Sequence, residues 1–92
     1  MMRSVVWLDD AISDLLEIMS YISAENPGAA RRLKARFDST LLPVKAHPYL
    51  YPHGRIAGTR EIVAHPNYVI VYRATRDRIE VVSVLHARQS YP

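Results

Sequence analysis

The sequence predicts an α+β fold, with an N-terminal strand, an antiparallel two-helix hairpin and a three-stranded antiparallel meander in the order β-α-α-β-β-β. Three observations carry this. Apolar residues recur at helical spacing from Asp9 to about Glu25 and again after Asn26. Beyond Gly58 the pattern changes to short β-branched and aromatic runs divided by turn residues. The two blocks do not interleave, and helices grouped beside a run of strands form a sandwich rather than a wound parallel sheet. The 92 residues suit one small domain spanning 1–92.

The first strand is "RSVVWL", residues 3–8, which is β-branched and aromatic. Asp9 or Asp10 offers an N-cap for the first helix. On a wheel of roughly 100° per residue, Ile12, Leu15, Leu16, Met19 and Ile22 share a face. Ala11, Ile18 and Tyr21 widen it, and Asp14 interrupts it. Asn26 caps the second helix and Pro27 suits its first position. Ala30, Leu33, Phe37, Leu41 and Val44 form its apolar stripe, and Pro43 should kink or end it near Leu42. The acids of the first helix (Asp9, Asp10, Asp14, Glu17, Glu25) face a second helix that opens with Arg31, Arg32, Lys34 and Arg36, which favours pairing across the hairpin.

A loop rich in Pro, Gly and Tyr, "HPYLYPHGRIAG", follows at 47–58. The meander strands are "TREIVAH" (59–65), "YVIVYRA" (68–74) and "RIEVVSVLH" (78–86), with turns at Pro66-Asn67 and Arg76-Asp77. Val69, Ile70 and Val71 in succession mark a middle strand buried on both faces.

Composition narrows the function. The chain has no cysteine, so disulfides, thiolate metal sites and thiol nucleophiles are excluded. The apolar run Val5–Leu8 is cut short by Asp9 and Asp10, unlike a signal peptide, and no stretch is long enough to span a membrane. A soluble, cytoplasmic protein is expected. The net charge is +3, and the whole excess lies in residues 53–92. Arg outnumbers Lys ten to two, which suits planar contact with phosphate or carboxylate, although a charge this small is also ordinary for a domain that meets no nucleic acid. His47, His53, His65 and His86 show no HExxH spacing, so no metal is expected, and no cofactor. No GxSxG occurs, and three glycines make no Gly-rich phosphate loop.

The enzymatic possibility is RNA cleavage, which needs a base for the 2′-hydroxyl, an acid for the leaving oxygen and cations around the phosphate. The outer meander strands run the same way, so Arg60 and His86 fall at opposite ends of the sheet, while His65 and Tyr68 fall beside His86. The compact candidate is therefore His65, Tyr68 and His86 with the tail residues Arg88 and Tyr91. Each has a plainer reading. His65 shapes the turn before Pro66, Tyr68 and Tyr72 pack the sheet, Arg60 and Arg73 are solvated charges, and His86 and Tyr91 end the chain.

Taken in order, "D-A-x-x-D-L-x-x-I-x-x-Y-I" (Asp10 to Ile22), "N-P-x-A-A" (Asn26 to Ala30), His47-Pro48, "GTREIVAHPNYVIVYR" (58–73) and "VLHARQSYP" (84–92) make the chain resemble the RelE/ParE family of type II toxins. The resemblance implies a helical hairpin over an antiparallel sheet, and a cognate antitoxin lying in apolar grooves along helices and sheet. Ala11, Ile18, Tyr21 and Ile22 are the antitoxin-binding candidates. RelE-like members cleave mRNA on the ribosome, and ParE-like members poison DNA gyrase. RelE-like sites rely on a cation at the start of the middle strand, where this chain has Tyr68, Val69 and Ile70, and its only lysines are Lys34 and Lys45. The resemblance therefore leans to a ParE-like gyrase inhibitor with no catalytic residue of its own, contacting its target through Arg60, Arg73, Arg88 and Tyr91. The mRNA nuclease and an inactive toxin-fold binding protein are the alternatives.

Overall fold

A computed structural model describes residues 3–88. The elements are β1 (Ser4–Trp7), α1 (Asp9–Ser23), α2 (Pro27–Ala46), β2 (Arg60–His65), β3 (Tyr68–Ala74) and β4 (Arg78–His86). The strands form one sheet in the order β1-β4-β3-β2. The meander is antiparallel as expected, but β1 lies parallel to β4, with Val5 beside Ile79 and Trp7 beside Val81, so the sheet is mixed. The long crossover permits the parallel pairing: the helical hairpin, β2 and β3 intervene before the chain returns beside β1.

Helix α2 buries the stripe read from its sequence, Ala30, Leu33, Phe37, Leu41 and Val44. The Asn26 side chain accepts a bond from the Ala29 N–H at 3.0 Å, a cap worth about 1 kcal/mol. Pro43 does not end the helix, which runs to Ala46. Proline removes one backbone donor at a cost of about 3 kcal/mol or more in a helix interior. The last turn persists because Val44 is fully buried, the Pro43 carbonyl accepts from His47 N–H at 2.9 Å, and the Lys45 carbonyl accepts from Arg3 N–H at 3.1 Å.

Helix α1 departs further from expectation. Its N-cap is Leu8, with no side-chain cap, and Asp9 and Asp10 occupy the first turn, where their charge favours the helix dipole. The inward stripe is Ala11, Leu15, Ile18, Met19 and Ile22: Leu15, Met19 and Ile22 of the expected face turn inward, while Ile12 and Leu16 lie exposed. Ala11 is the small residue that goes fully inside. The expected ion pairing across the hairpin is not what the helices use. Lys34 pairs within α2 to Asp38 at 2.7 Å, and Arg36 donates to the Ala64 carbonyl at 2.8 Å.

The core lies between the hairpin and one sheet face, where Phe37, Val44, Ile70, Tyr72, Ile79 and Val81 are completely buried. Burying each such side chain stabilises the fold by about 1.5–3 kcal/mol. On the middle strand Ile70, Val71 and Tyr72 are all at 0% exposure, so it is covered on both faces.

Candidate functional site

Directly opposed residues of an antiparallel pair share a face. On β3 the helix-facing residues are Tyr68, Ile70 and Tyr72, each next to the core. On β4, Tyr72 opposes Val81, but Ile70 opposes Val84 and Tyr68 opposes His86, because the register shifts between Val71 and Tyr72. Simple alternation from Ile79 and Val81 would have turned His86 to the opposite face. The extra residue in "VVS" changes the phase and puts His86 on the helix side. A second shift, between Val63 and His65, does the same on β2, so that His65 also opposes Tyr68. Two bulges, one on each neighbour of the middle strand, thus aim both histidines at one tyrosine.

The three rings meet. Tyr68 lies 5.7 Å from His65 and 5.6 Å from His86 between ring centroids, and its edge packs on Phe37 at 5.9 Å. They floor an open cleft of about 830 Å³ between the end of the sheet and the two helices. The walls are Asp14, Glu17, Ile18, Tyr21 and Ile22 of α1 and Ala29 and Leu33 of α2. The nuclease candidates His65, Tyr68 and His86 and the partner candidates Ile18, Tyr21 and Ile22 therefore share one cavity.

Its chemistry is specific. The Asn67 N–H donates to His65 Nδ1 at 3.0 Å, and the Arg88 N–H donates to His86 Nδ1 at 3.3 Å. In each case the backbone N–H engages the ring at Nδ1 as an acceptor. Asp14 accepts from the Val84 N–H at 3.0 Å, next to the β4 bulge. Burial pushes the Asp14 carboxyl above the usual carboxylate range against that hydrogen bond, and the charges of Asp10 and Glu17 push the same way. Among the described residues no Lys or Arg lines the cleft, and no group of His, Cys, Asp and Glu could hold a metal ion.

The remaining candidates disperse. Ala11 offers no surface to a partner because it lies in the core, and Tyr21, at 82% exposure, offers the most. Arg60 is at the far end of the sheet, donating to the carbonyls of Tyr51 at 2.7 Å and Tyr49 at 3.3 Å. Arg73 is on the opposite sheet face, paired to Glu80 at 2.5 Å. Arg88 follows β4 at the cleft end, and Tyr91 lies outside the described residues. Sequence reasoning missed Asp14 and Glu17 as cleft walls. The available signal was a carboxylate breaking an apolar arc.

Comparison with known proteins agrees with this architecture. Residues 5–91 match the family model described as the ParE toxin of the type II toxin-antitoxin system parDE. The chain is 37% identical over 91 residues to Y4kP of Sinorhizobium fredii, covering 98% of this chain and 94% of that protein. It is 34% identical over 88 residues to Toxin RelE2 of Caulobacter vibrioides, covering 94% and 97%. Among solved structures, the chromosomal ParDE system of P. aeruginosa superposes with a TM-score of 0.77 at 18% identity over 92% of this chain and 96% of that one. YafQ from E. coli superposes less closely, with a TM-score of 0.52 at 13% identity over 92% and 93%.

Proposed function

Because this chain belongs to the ParE toxin family of type II toxin–antitoxin systems, we propose that it is a ParE-like toxin that inhibits DNA gyrase and is neutralised by an antitoxin segment seated in the cleft. The observation that carries this is the composition of the cleft. A phosphoryl-transfer site needs a cation at the phosphate and a base at the nucleophile. This cleft has carboxylates at Asp14 and Glu17, no lining cation among the described residues, and two imidazoles whose Nδ1 lone pairs are already taken by backbone N–H groups. It repels a polyanion and suits an apolar peptide laid along Ile18, Tyr21 and Ile22.

The second reading is a ribosome-dependent mRNA nuclease, favoured by the His65–Tyr68–His86 ring cluster, in which a histidine would serve as the general acid. One side-by-side experiment separates the two. Purified toxin is assayed for trapped DNA breaks in gyrase supercoiling reactions and for cleavage of ribosome-bound mRNA. DNA breaks without mRNA cuts are expected, and mRNA cuts alone would overturn the gyrase reading. His86→Ala sharpens the comparison, since loss of a general acid lowers a rate about 10²–10⁴-fold, whereas gyrase inhibition should keep its strength.

A further inference from the structure

The end of the sheet away from the cleft has the opposite character. Arg3, Lys45, Arg60, Arg73, Arg76 and Arg78 gather there by the strand order and the β3–β4 turn, against Asp77 and Glu80. Glu80 is bound by two guanidiniums at once, Arg73 on Oε1 and Arg78 on Oε2, so one positive charge of that trio stays uncompensated. Glu61, on β2, is taken by Arg55.

Two of these arginines are fixed on one aromatic ring. The guanidinium of Arg3 lies 5.5 Å from the Tyr49 ring centroid and that of Arg60 lies 5.3 Å from it. The Arg3 Nε donates to the Thr75 carbonyl at 2.9 Å, and Arg60 is held by the Tyr49 and Tyr51 carbonyls. All these partners are neutral, so among the described residues no carboxylate is bonded to either guanidinium, and each guanidinium has N–H groups beyond those in these bonds. Tyr49 and Leu50 stand exposed beside them, at 59% and 76%. Guanidiniums held in place lose little freedom on meeting an anion and match phosphate geometry better than flexible lysines do.

We infer that Arg3 and Arg60, braced on Tyr49, form a second functional surface that contacts the phosphate backbone of duplex DNA. It is separate from the cleft, so the toxin can contact DNA through one end while its other end carries the site for the antitoxin. The choice of DNA over RNA rests on the gyrase reading, whose target holds a DNA duplex. The contact itself depends only on the charge and placement of this surface.

The test measures binding of the full chain to a short fluorescein-labelled duplex by anisotropy across a salt series, without gyrase. Each phosphate contact contributes about 0.9 to the slope of log K against log salt. Arg3→Gln and Arg60→Gln should each flatten the slope by about that amount, while Arg3→Lys and Arg60→Lys largely keep it. Arg31→Gln, on α2 near the cleft, removes the same net charge and should leave the slope nearly unchanged. Leu50→Glu adds a repelling charge to an exposed position without touching either arginine's anchor, and should weaken binding even if the glutamine variants fold poorly. Equal effects from Arg31→Gln and Arg60→Gln, or no effect of Leu50→Glu, would overturn the surface. Tighter binding to single-stranded RNA with the same residue dependence would overturn its assignment to DNA. Since gyrase is absent, failure here is distinct from failure of the gyrase assay.

Discussion

Tyr72→Phe removes one hydroxyl from the middle of the molecule and tests how the loop bearing Tyr49 is held. The Tyr72 ring is fully buried and packs edge-on to Tyr51 at 6.3 Å between centroids, contacts that phenylalanine keeps. The loss is confined to the hydroxyl, which donates to the Pro48 carbonyl at 2.6 Å in a buried setting. A neutral hydrogen bond contributes about 0.5–1.5 kcal/mol net, and stranding a buried acceptor raises the cost to about 1–3 kcal/mol. In a domain of this size each kcal/mol moves Tm by about 4–8 °C, so a fall of at least about 4 °C is expected by calorimetry. The same hydroxyl adds a pH signature. Burial holds the phenol up to about 12 against a reference of 10.0, although the Arg60 charge pulls the other way. The unfolded chain therefore gives up this proton before the fold does, and stability falls as pH rises from about 10 towards about 12. Tyr72→Phe should remove that alkaline loss. A variant melting within about 1 °C of the parent at neutral pH, or losing stability equally steeply above pH 10, would refute the reasoning.

Asp14→Asn keeps a carbonyl oxygen for the Val84 N–H while deleting a desolvated charge flanked by Asp10 and Glu17. Like-charge neighbours on a helix cost about 0.2–0.5 kcal/mol each, so Tm should rise by a few degrees. Because the fold holds the Asp14 proton more tightly than the unfolded chain, the parent gains stability as pH falls through that raised pKa, and acid-range melts of the variant should lack this gain. Gly54→Ala would drive a Cβ into Thr59 Oγ1, whose hydroxyl is committed to the Ile56 carbonyl at 2.6 Å. Overpacking there should cost about 1–3 kcal/mol, read as a lower urea midpoint. Tyr21→Ala should change stability by less than about 0.5 kcal/mol because the side chain is exposed. If the cleft seats the antitoxin, the same change should weaken toxin–antitoxin affinity about tenfold or more in titration calorimetry.

What could be read from the sequence depended on local rules. The α2 stripe from Ala30 to Val44, the Asn26 cap, and the bounds of β3 and β4 follow from periodicity and turn chemistry that act over a few residues. The juxtaposition of His65, Tyr68 and His86 was also legible, because meander topology alone decides which strand ends meet. Interactions across the fold decided the rest. Helix α1 is apolar on too wide an arc for its wheel to name the buried side. Its packing on β4 and α2 selected Ala11 and Ile18 over Ile12 and Leu16. Pro43 should stop a helix by local rules, but the buried Val44 and the backbone bond from Arg3 carry α2 past it. Strand β1 has no turn linking it to a neighbour, so only the closed core places it parallel to β4. Single bulges, invisible to a strict alternation pattern, turn both histidines towards the helices. Sequence periodicity therefore determined the elements and which ends of the sheet meet. Tertiary packing decided which faces turn inward and what lines the cleft, because both depend on side chains far apart in the chain competing for the same interior space.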